Sequence, residues 1–264
     1  MLGAIIGDVV GSIYEFRSHK SKVFPLFVKG CRPTDDSVMT VAVGCACAEA
    51  DVGDEVSFKT ALVQRMRELG RLYPNAGFGD HFYDWLMDDN ATAYGSYGNG
   101  ASMRVSPVGW VAKTLEEAER LAKWSAEISH DHPDAIRGAQ AVAGSIFLAR
   151  RGASQAQIRE YVEKKYYDLN FTLDEIRPTY RMTLVSERSV PQAIVCFLEA
   201  ESYEDAIRNA ISLGGDGDTQ AAIAGSIAEA YFGIPDDLQE AVFDYLDEPL
   251  TDYYWGYADV LYEN

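Results

Sequence analysis

The sequence is poor in positive charge. Lysine and arginine total 23 residues against 41 aspartates and glutamates, which gives a formal net charge of −18. Proteins that bind nucleic acids carry a basic surface, so this balance excludes a broad nucleic-acid interface. It is compatible with a small anionic ligand, which needs only a few hydrogen-bond donors. The excess of carboxylates favours cation binding wherever several of them converge.

Cysteine is scarce, and its spacing matches neither a metal site nor a disulfide framework. Two of the cysteines lie two residues apart, so on a helix they would point to different faces. We therefore expect buried free thiols at all four positions, Cys31, Cys45, Cys47 and Cys196.

Long apolar runs are also lacking. No segment reaches the roughly 20 apolar residues that a membrane-spanning helix needs. The first 16 residues have no basic stretch and reach Asp8 too early for a secretory signal peptide. These features predict a cytoplasmic protein without a membrane partner.

Strand-like alternation is rare. Residues 21–30 (SKVFPLFVKG) are the best strand candidate, and Pro25 weakens it because proline cannot donate to a sheet. Helical periodicity dominates the rest of the chain, and no linker, repeat or low-complexity tract interrupts it. We predict a single all-α domain over residues 1–264, with helices at 36–50, 113–130, 135–152, 189–200, 202–215, 219–233 and 235–246.

Two helix starts carry the spacing of a capping box. Thr114 precedes Glu117 by three residues, and Ser154 precedes Gln157 in the same way. In such a box each side chain satisfies a free backbone donor of the first turn. Helices are therefore predicted to begin at both places.

Two stretches concentrate carboxylates. Residues 33–37 (PTDDS) and 214–219 (GGDGDT) each place two aspartates and a threonine at the start of a small-residue helix. Helix capping explains one such side chain, since Asp, Ser and Thr are favoured N-caps. Two neighbouring carboxylates, however, repel each other unless water or a cation lies between them. Oxygen ligands without His or Cys suit Mg²⁺, Mn²⁺ or Ca²⁺ rather than zinc.

Two known aspartate motifs do not fit the second stretch. A calcium-binding EF-hand starting at Asp216 would place Ala221 at its glycine position and Ile227 at its glutamate position. An aspartyl-phosphate phosphatase would place its nucleophile after a buried strand, whereas a predicted helix precedes Asp216. Both readings are therefore rejected.

The chain resembles the ADP-ribosylglycohydrolase family, which includes the dinitrogenase-reductase-activating glycohydrolases and the ADP-ribosyl-arginine and ADP-ribosyl-serine hydrolases. The resemblance extends over nearly the whole chain through five ordered motifs. They are GAIIGDVVGSIYE (3–15), PTDDSVMT (33–40), YGSYGNGASMRVSPVG (94–109), SAEISHDHPDAIRGAQAVA (125–143) and AIRNAISLGGDGDTQAAIAGSIAEAYFG (206–233). The fold it implies is a compact orthogonal bundle of many helices, in agreement with the periodicity.

The resemblance implies two divalent cations, Mg²⁺ or Mn²⁺, between the two aspartate stretches. Asp218 is expected to bridge the two cations, and the glycines would let the carboxylates turn toward the core. The metal ligands that it implies are Thr34, Asp35, Asp36, Asp216, Asp218 and Thr219.

The same resemblance implies Glu15 and Asp36 as catalytic residues. Glu15 matches a mobile glutamate that takes part in gating or proton transfer; by itself it would be a solvated loop residue. Asp8 is expected in the same loop as a supporting partner of the site.

A glycine-rich loop provides the implied substrate site. Backbone N–H groups of such a turn can hold a diphosphate without any lysine, and a tyrosine ring can stack on adenine. The residues concerned are Gly95, Ser96, Tyr97, Gly98, Asn99, Gly100 and, beside the ligand, His130. Without the other motifs the loop would be read as a plain Gly/Asn turn.

One segment departs from the family pattern. Between Ser186 and Ser189 the chain has Glu187 and Arg188, where many bacterial relatives have a cysteine and small or amide residues. If this segment lines the cavity, the preferred leaving group is in question.

The function implied is hydrolysis of the glycosidic bond at the distal ribose of an ADP-ribosylated protein or small molecule, with release of ADP-ribose. Two alternatives stay open. One is a non-catalytic, ADP-ribose-binding or structural member of the family, and the other is a metal-dependent phosphoesterase acting on nucleotides.

Overall fold

A computed structural model describes residues 1–262 and consists of helices joined by loops. In this part of the chain the helices are α1 (Leu2–Gly11), α2 (Asp35–Glu49), α3 (Glu55–Leu72), α4 (Asp80–Met87), α5 (Gly100–Met103), α6 (Ser106–Val111), α7 (Leu115–Glu127), α8 (Pro133–Arg150), α9 (Gln155–Lys165), α10 (Leu173–Ile176), α11 (Ser186–Leu198), α12 (Tyr203–Ser212), α13 (Gly217–Phe232), α14 (Asp236–Phe243) and α15 (Glu248–Tyr262).

Every segment predicted to be helical forms a helix, with bounds shifted by a few residues. Several further helices were not predicted, and α1 shows why. All of its residues are buried, so it has no polar face and therefore no amphipathic period. Asp8, which we expected in a loop, lies in this helix. That expectation was wrong.

Residues 21–30, the best strand candidate, do not form a strand, in agreement with the all-α prediction. The segment is irregular and forms only an isolated bridge between Lys29 and Cys31. Two of its carbonyl groups accept from a side chain and not from a neighbouring strand: Arg208 of α12 donates to the carbonyl oxygens of Lys22 at 2.9 Å and Phe24 at 2.6 Å.

The predicted caps form at both helix starts, but only one is a complete capping box. Ser154 and Gln157 satisfy each other's backbone donors at the start of α9. At α7 the Thr114 side chain accepts from the N–H of Glu117, whereas the Glu117 carboxylate accepts from the N–H of Lys113.

Helices α1 and α13 pack with their backbones in contact. Gly3, Gly7 and Gly11 recur every four residues along α1 and face α13. A Cβ atom on Gly7 would lie 2.2 Å from the carbonyl oxygen of Ala221, and one on Gly11 would lie 2.4 Å from Cα of Asp218. Only glycine permits this approach. It places Asp8, between two of these glycines, beside the N-terminus of α13.

The remaining expectations concern the thiols and the membrane. All four cysteines are buried and unpaired, as predicted. Among the helices of residues 1–262, none combines the length and the apolar character that crossing a bilayer requires.

Candidate active site

Carboxylates from α1, α2, α13 and the turn after α1 converge. Oxygen atoms of Asp8, Asp36 and Asp218 lie within 4.8 Å of one another, and so do those of Glu15, Asp216 and Asp218. Asp218 belongs to both groups. The aspartates of residues 33–37 and 214–219, which are far apart in sequence, therefore belong to one cluster of carboxylates.

Asp8 organises the start of α2. Its Oδ2 accepts from the backbone N–H groups of Thr34 at 2.8 Å and Ser37 at 3.0 Å, and from the Ser37 hydroxyl. The Thr34 hydroxyl donates to Oδ1 at 2.6 Å. Asp8 thus fixes the orientation of Thr34 beside the acidic cluster.

Helix capping does not account for the aspartates. Thr34 is the N-cap of α2, with a contact of 3.4 Å from the Asp36 N–H to its hydroxyl. Asp216 occupies the N-cap position of α13, but its side chain makes no capping hydrogen bond. Its Oδ2 instead accepts from Nδ2 of Asn99 at 2.7 Å, and the same Nδ2 donates to Ser189 at 3.2 Å.

Burial and mutual repulsion raise the pKa values of these carboxyl groups. Burial is the main cause in every case. It raises the pKa of Asp8 and Asp216, and together with neighbouring aspartates it raises those of Asp36 and Asp218 well above the usual range. Burial and Asp8 raise the pKa of Asp35 to about 8. In their ionised forms these carboxylates would carry more negative charge than the protein alone can stabilise.

The residues present fit a divalent cation. Within the described chain no lysine or arginine forms an ion pair with the clustered carboxylates. Oδ1 of Asp36 is buried and has no hydrogen-bond partner. An unpartnered buried carboxylate oxygen is costly unless a cation binds it. The ligand atoms on offer are all oxygen, which suits Mg²⁺ or Mn²⁺.

Glu15 and Asp35 lie at the edge of the cluster. Glu15 is half-buried in the turn after α1, where burial and the charge of Asp216 raise its pKa to about 7. Asp35 lies near Gly77, on the cavity wall but outside the two groups of three carboxylates. Thr219 completes the arrangement, with its hydroxyl 3.3 Å from Oδ2 of Asp36.

The glycine loop at residues 95–100 keeps some of its backbone donors free. Gly95 donates to Asp131 at 2.6 Å, Gly98 to the Ser96 hydroxyl at 3.3 Å, and Asn99 to the carbonyl oxygen of Leu184 at 2.9 Å. Within residues 1–262 the other three N–H groups have no partner; they belong to Ser96, Tyr97 and Gly100. The Tyr97 side chain is 55% exposed.

One cavity of about 710 Å³ joins the loop to the carboxylates. Thr34 is the single predicted site residue that does not line it. The predicted residues that line it are Glu15, Asp35, Asp36, Gly95, Ser96, Tyr97, Gly98, Asn99, Gly100, His130, Asp216, Asp218 and Thr219.

The family model described as ADP-ribosylglycohydrolase matches residues 1–264. The chain belongs to the ADP-ribosylglycohydrolase family.

Several members of the family are similar over most of this chain. The ADP-ribosylhydrolase ARH3 of Mus musculus is 27% identical over 316 residues, covering 91% of this chain and 85% of that protein. The ADP-ribosylarginine hydrolase Tri1 of Pseudomonas putida is 24% identical, covering 89% and 70% respectively. The ADP-ribosyl-[dinitrogen reductase] glycohydrolase of Rhodospirillum rubrum is 23% identical, covering 89% and 85%.

A solved structure supports the fold. It is described as an ADP-ribosylglycohydrolase-related protein complex and superimposes with a TM-score of 0.64, at 19% identity, over 99% of this chain and 95% of that chain. The predicted all-α fold of the ADP-ribosylglycohydrolase type is confirmed.

The segment that departs from the family pattern, Ser186–Ser189, lies beside the cavity, but its charged residues do not line it. Residues 186–188 precede the helix predicted at 189–200 and form the first turn of α11. Val185 lines the cavity, whereas Glu187 and Arg188 are exposed and do not. The neighbouring wall is apolar and comes from Met182 and Leu184. The charged pair therefore does not contribute to the cavity wall.

Sequence reasoning missed part of the cavity wall. Phe82 and Tyr94 have ring centroids 5.8 Å from that of His130, and Arg104 lies behind them. Arg104 also lines the cavity. A fully buried arginine gives no periodic signal. The sequence signal that could have indicated Arg104 as a cavity residue is its position shortly after the glycine loop at residues 95–100.

Proposed function

We propose that this protein hydrolyses the glycosidic bond at the distal ribose of an ADP-ribosyl group, on a protein side chain or a small molecule, and releases ADP-ribose. The observation that carries the proposal is a single cavity with two ends of different chemistry. Carboxylates and threonine hydroxyls converge at one end, and free backbone N–H groups lie at the other.

The acidic end would hold two divalent cations, Mg²⁺ or Mn²⁺. When bound, such ions orient the ribose hydroxyls and polarise a water molecule. The residues that would hold them are Thr34, Asp35, Asp36, Asp216, Asp218 and Thr219. Asp218 is suited to contact both ions because it belongs to both carboxylate groups. Asn99 fixes one oxygen of Asp216 and thereby orients the other.

Glu15 is suited to move the proton. It lies beside Asp216 and Asp218 and is half-buried, so its carboxyl group is accessible from the cavity. A carboxyl group that reaches the cavity beside the cluster is placed to act as a general acid or base. In this proposal Glu15 and Asp36 are the catalytic residues.

The glycine loop is suited to the diphosphate. The free N–H groups of Ser96, Tyr97 and Gly100 supply donors without adding charge, which suits so acidic a protein. The exposed ring of Tyr97 offers a face for adenine. A volume of about 710 Å³ falls within the range of pockets that enclose small-molecule ligands.

Product analysis tests the proposal. Purified protein with Mg²⁺ or Mn²⁺ is given ADP-ribosylated arginine, ADP-ribosylated serine and a small-molecule ADP-riboside, and the nucleotides released are separated by chromatography. Release of ADP-ribose from at least one substrate is expected, and the arm that reacts identifies the linkage. Release of AMP would indicate a phosphoesterase instead. Tight binding without any product would indicate a non-catalytic ADP-ribose-binding protein.

A further inference from the structure

Arg104 is a buried cation without an anionic partner. Its side chain is 0% exposed and lies 5.3 Å from the centre of the Phe82 ring. Burial lowers its pKa to about 10, so the guanidinium stays protonated at neutral pH. No carboxylate of residues 1–262 forms an ion pair with it, and Nε and Nη1 have no hydrogen-bond partner. Burying a charge this way is expensive.

The third guanidinium nitrogen of Arg104, Nη2, is connected to His130 by hydrogen bonds through the hydroxyl group of Ser129. Nη2 donates to Oγ of Ser129 at 2.9 Å and to the carbonyl oxygen of Ser125 at 3.3 Å. Oγ of Ser129 lies 2.9 Å from Nδ1 of His130. Ser129 is 0% exposed, so water does not compete for its hydroxyl group.

This geometry discriminates between the two neutral forms of the imidazole. Because an arginine can only donate, Ser129 accepts from Arg104, and its own proton needs an acceptor. In the described part of the chain Nδ1 of His130 is the one acceptor within reach. If Nδ1 carried the proton instead, the buried O–H of Ser129 would lose its acceptor, which is unfavourable.

Electrostatics favours the same form. The imidazole is neutral, because burial and then the charge of Arg104 lower the pKa of His130 well below its usual value. A neutral ring near a fixed cation is most stable with its lone pair toward the cation and its N–H away from it. Nδ1 is on the side of Arg104, and Nε2 is on the side of Gly100.

We propose that Arg104 and Ser129 are positioning residues that hold His130 as the Nε2–H tautomer, so that His130 presents a hydrogen-bond donor to the ligand cavity. A Cβ atom on Gly100 would lie 2.8 Å from Nε2, so the ring stands against the glycine loop. In residues 1–262 Nε2 has no hydrogen-bond partner, and His130 lines the cavity.

The proposed donor adds to the N–H groups of the glycine loop. That part of the inference rests on the proposed function, since it takes an anionic or hydroxyl oxygen of an ADP-ribosyl group as the acceptor. The tautomer itself does not depend on the function, because it follows from contacts in the free protein.

Nitrogen NMR of histidine-labelled protein tests the tautomer directly. The chain has four histidines, and loss of one signal in His130→Gln identifies the ring concerned. The ligand-free protein at neutral pH is expected to show a protonated Nε2 and an unprotonated Nδ1 at His130. A protonated Nδ1 would overturn the inference.

The Ser129→Ala variant tests the relay. It is expected to lower the population of the Nε2–H form, and ADP-ribose affinity should fall by the same factor, about twofold if the two tautomers become equally populated. Ser129→Thr keeps the hydroxyl and should keep both properties. Ser125→Ala is the matched control: Ser125 is equally buried, one turn earlier on α7, and its Oγ has no partner, while its carbonyl group is retained.

The outcomes separate the two proposals. An unchanged tautomer in Ser129→Ala would remove Ser129 and Arg104 from the positioning role, whatever the protein hydrolyses. A shifted tautomer with unchanged ADP-ribose affinity would overturn the donor role of His130. Absence of ADP-ribose binding in the wild-type protein, with the Nε2–H form present, would overturn the proposed function and leave the tautomer standing.

Discussion

At the residue scale the chemistry is concentrated in a few buried oxygen atoms. Asp218 belongs to both groups of converging carboxylates, and Asp36 carries a buried oxygen without a hydrogen-bond partner. The neighbouring threonine hydroxyls do not neutralise this charge. The substitutions that test the site most directly are therefore those that remove a charge and keep the shape.

Asp36→Asn and Asp218→Asn are each expected to lower kcat at least about 100-fold, the usual cost of losing preorganised electrostatic stabilisation. Release of ADP-ribose with excess Mg²⁺ or Mn²⁺ measures the effect. Asp84→Asn, at an exposed position on α4, is the matched control and should be neutral. Near-wild-type turnover in both cluster variants would contradict the metal-centred mechanism.

Glu15→Gln separates proton transfer from metal binding. Glu15 lies at the edge of the cluster and not at its centre, so we expect turnover to fall while metal affinity stays close to that of the wild type. Calorimetric titration with Mn²⁺ and the kcat of the same preparation provide the two readouts. A parallel loss of both would make Glu15 a metal ligand, and unchanged kinetics would remove it from the mechanism.

At the scale of elements the contact between α1 and α13 positions Asp8. The two helices touch through backbone atoms, because the residues of α1 that face α13 are glycines. Any side chain there would separate the helices. The separation would also move Asp8 away from Thr34 and from Asp218.

Gly7→Ala is expected to destabilise the protein by about 1–3 kcal/mol, because the added methyl group meets the backbone of Ala221. Metal affinity should fall in the same variant. Thermal unfolding and Mn²⁺ titration check these effects. Gly256→Ala, on α15 with open space around it, is the matched control. Equal melting temperatures for the two variants would contradict the close approach of the helices.

At the scale of the whole molecule the acidic cluster couples cation binding to folding. A cation at about 100 times its dissociation constant would stabilise the folded state by roughly 2.7 kcal/mol. A large domain gains about 2–4 °C per kcal/mol, so the melting temperature should rise by about 5 °C or more. Chelator should reverse the rise, and Zn²⁺ should be a poor substitute because the ligands are hard oxygens. A melting temperature that does not change with Mg²⁺ or Mn²⁺ would indicate that the two aspartate stretches only begin helices and do not bind metal.

The stabilisation by metal should depend on pH. The carboxyl groups of the metal-free folded chain have pKa values above those of the unfolded chain, and that of Asp35 is about 8. The folded chain therefore binds more protons, and its unfolding free energy falls as pH rises toward these pKa values. Metal binding needs the deprotonated groups and is favoured by the same rise.

The difference between the melting temperatures with metal and with chelator is therefore expected to widen from about pH 6 to about pH 8. Other titrating groups, such as His130, are present in both samples, so their contribution cancels in the difference. Circular dichroism melts at three pH values suffice. A difference that is constant over this range would show that the clustered carboxylates do not gain protons on folding.

Local patterns in the sequence predicted about half of the helices, together with the functional motifs. Periodicity and caps located the helices from 113 to 165, and the PTDDS and GGDGDT stretches marked both sides of the acidic cluster. These features depend on neighbours within one or two turns of chain. The sequence did not show how the irregular segment at residues 21–30 is held, because Arg208, which donates to the carbonyl oxygens of Lys22 and Phe24, is remote in sequence.

The tertiary structure alone decided which of these motifs meet and which side chains support them. Asp8 joins the cluster because three glycines of α1 allow backbone contact with α13. Asn99 turns toward Asp216, and Arg104 reaches His130 through Ser129, although nothing near these residues in sequence specifies either contact. Short-range propensities act along the chain, whereas buried charges and hydrogen-bond donors find partners only after remote helices have packed.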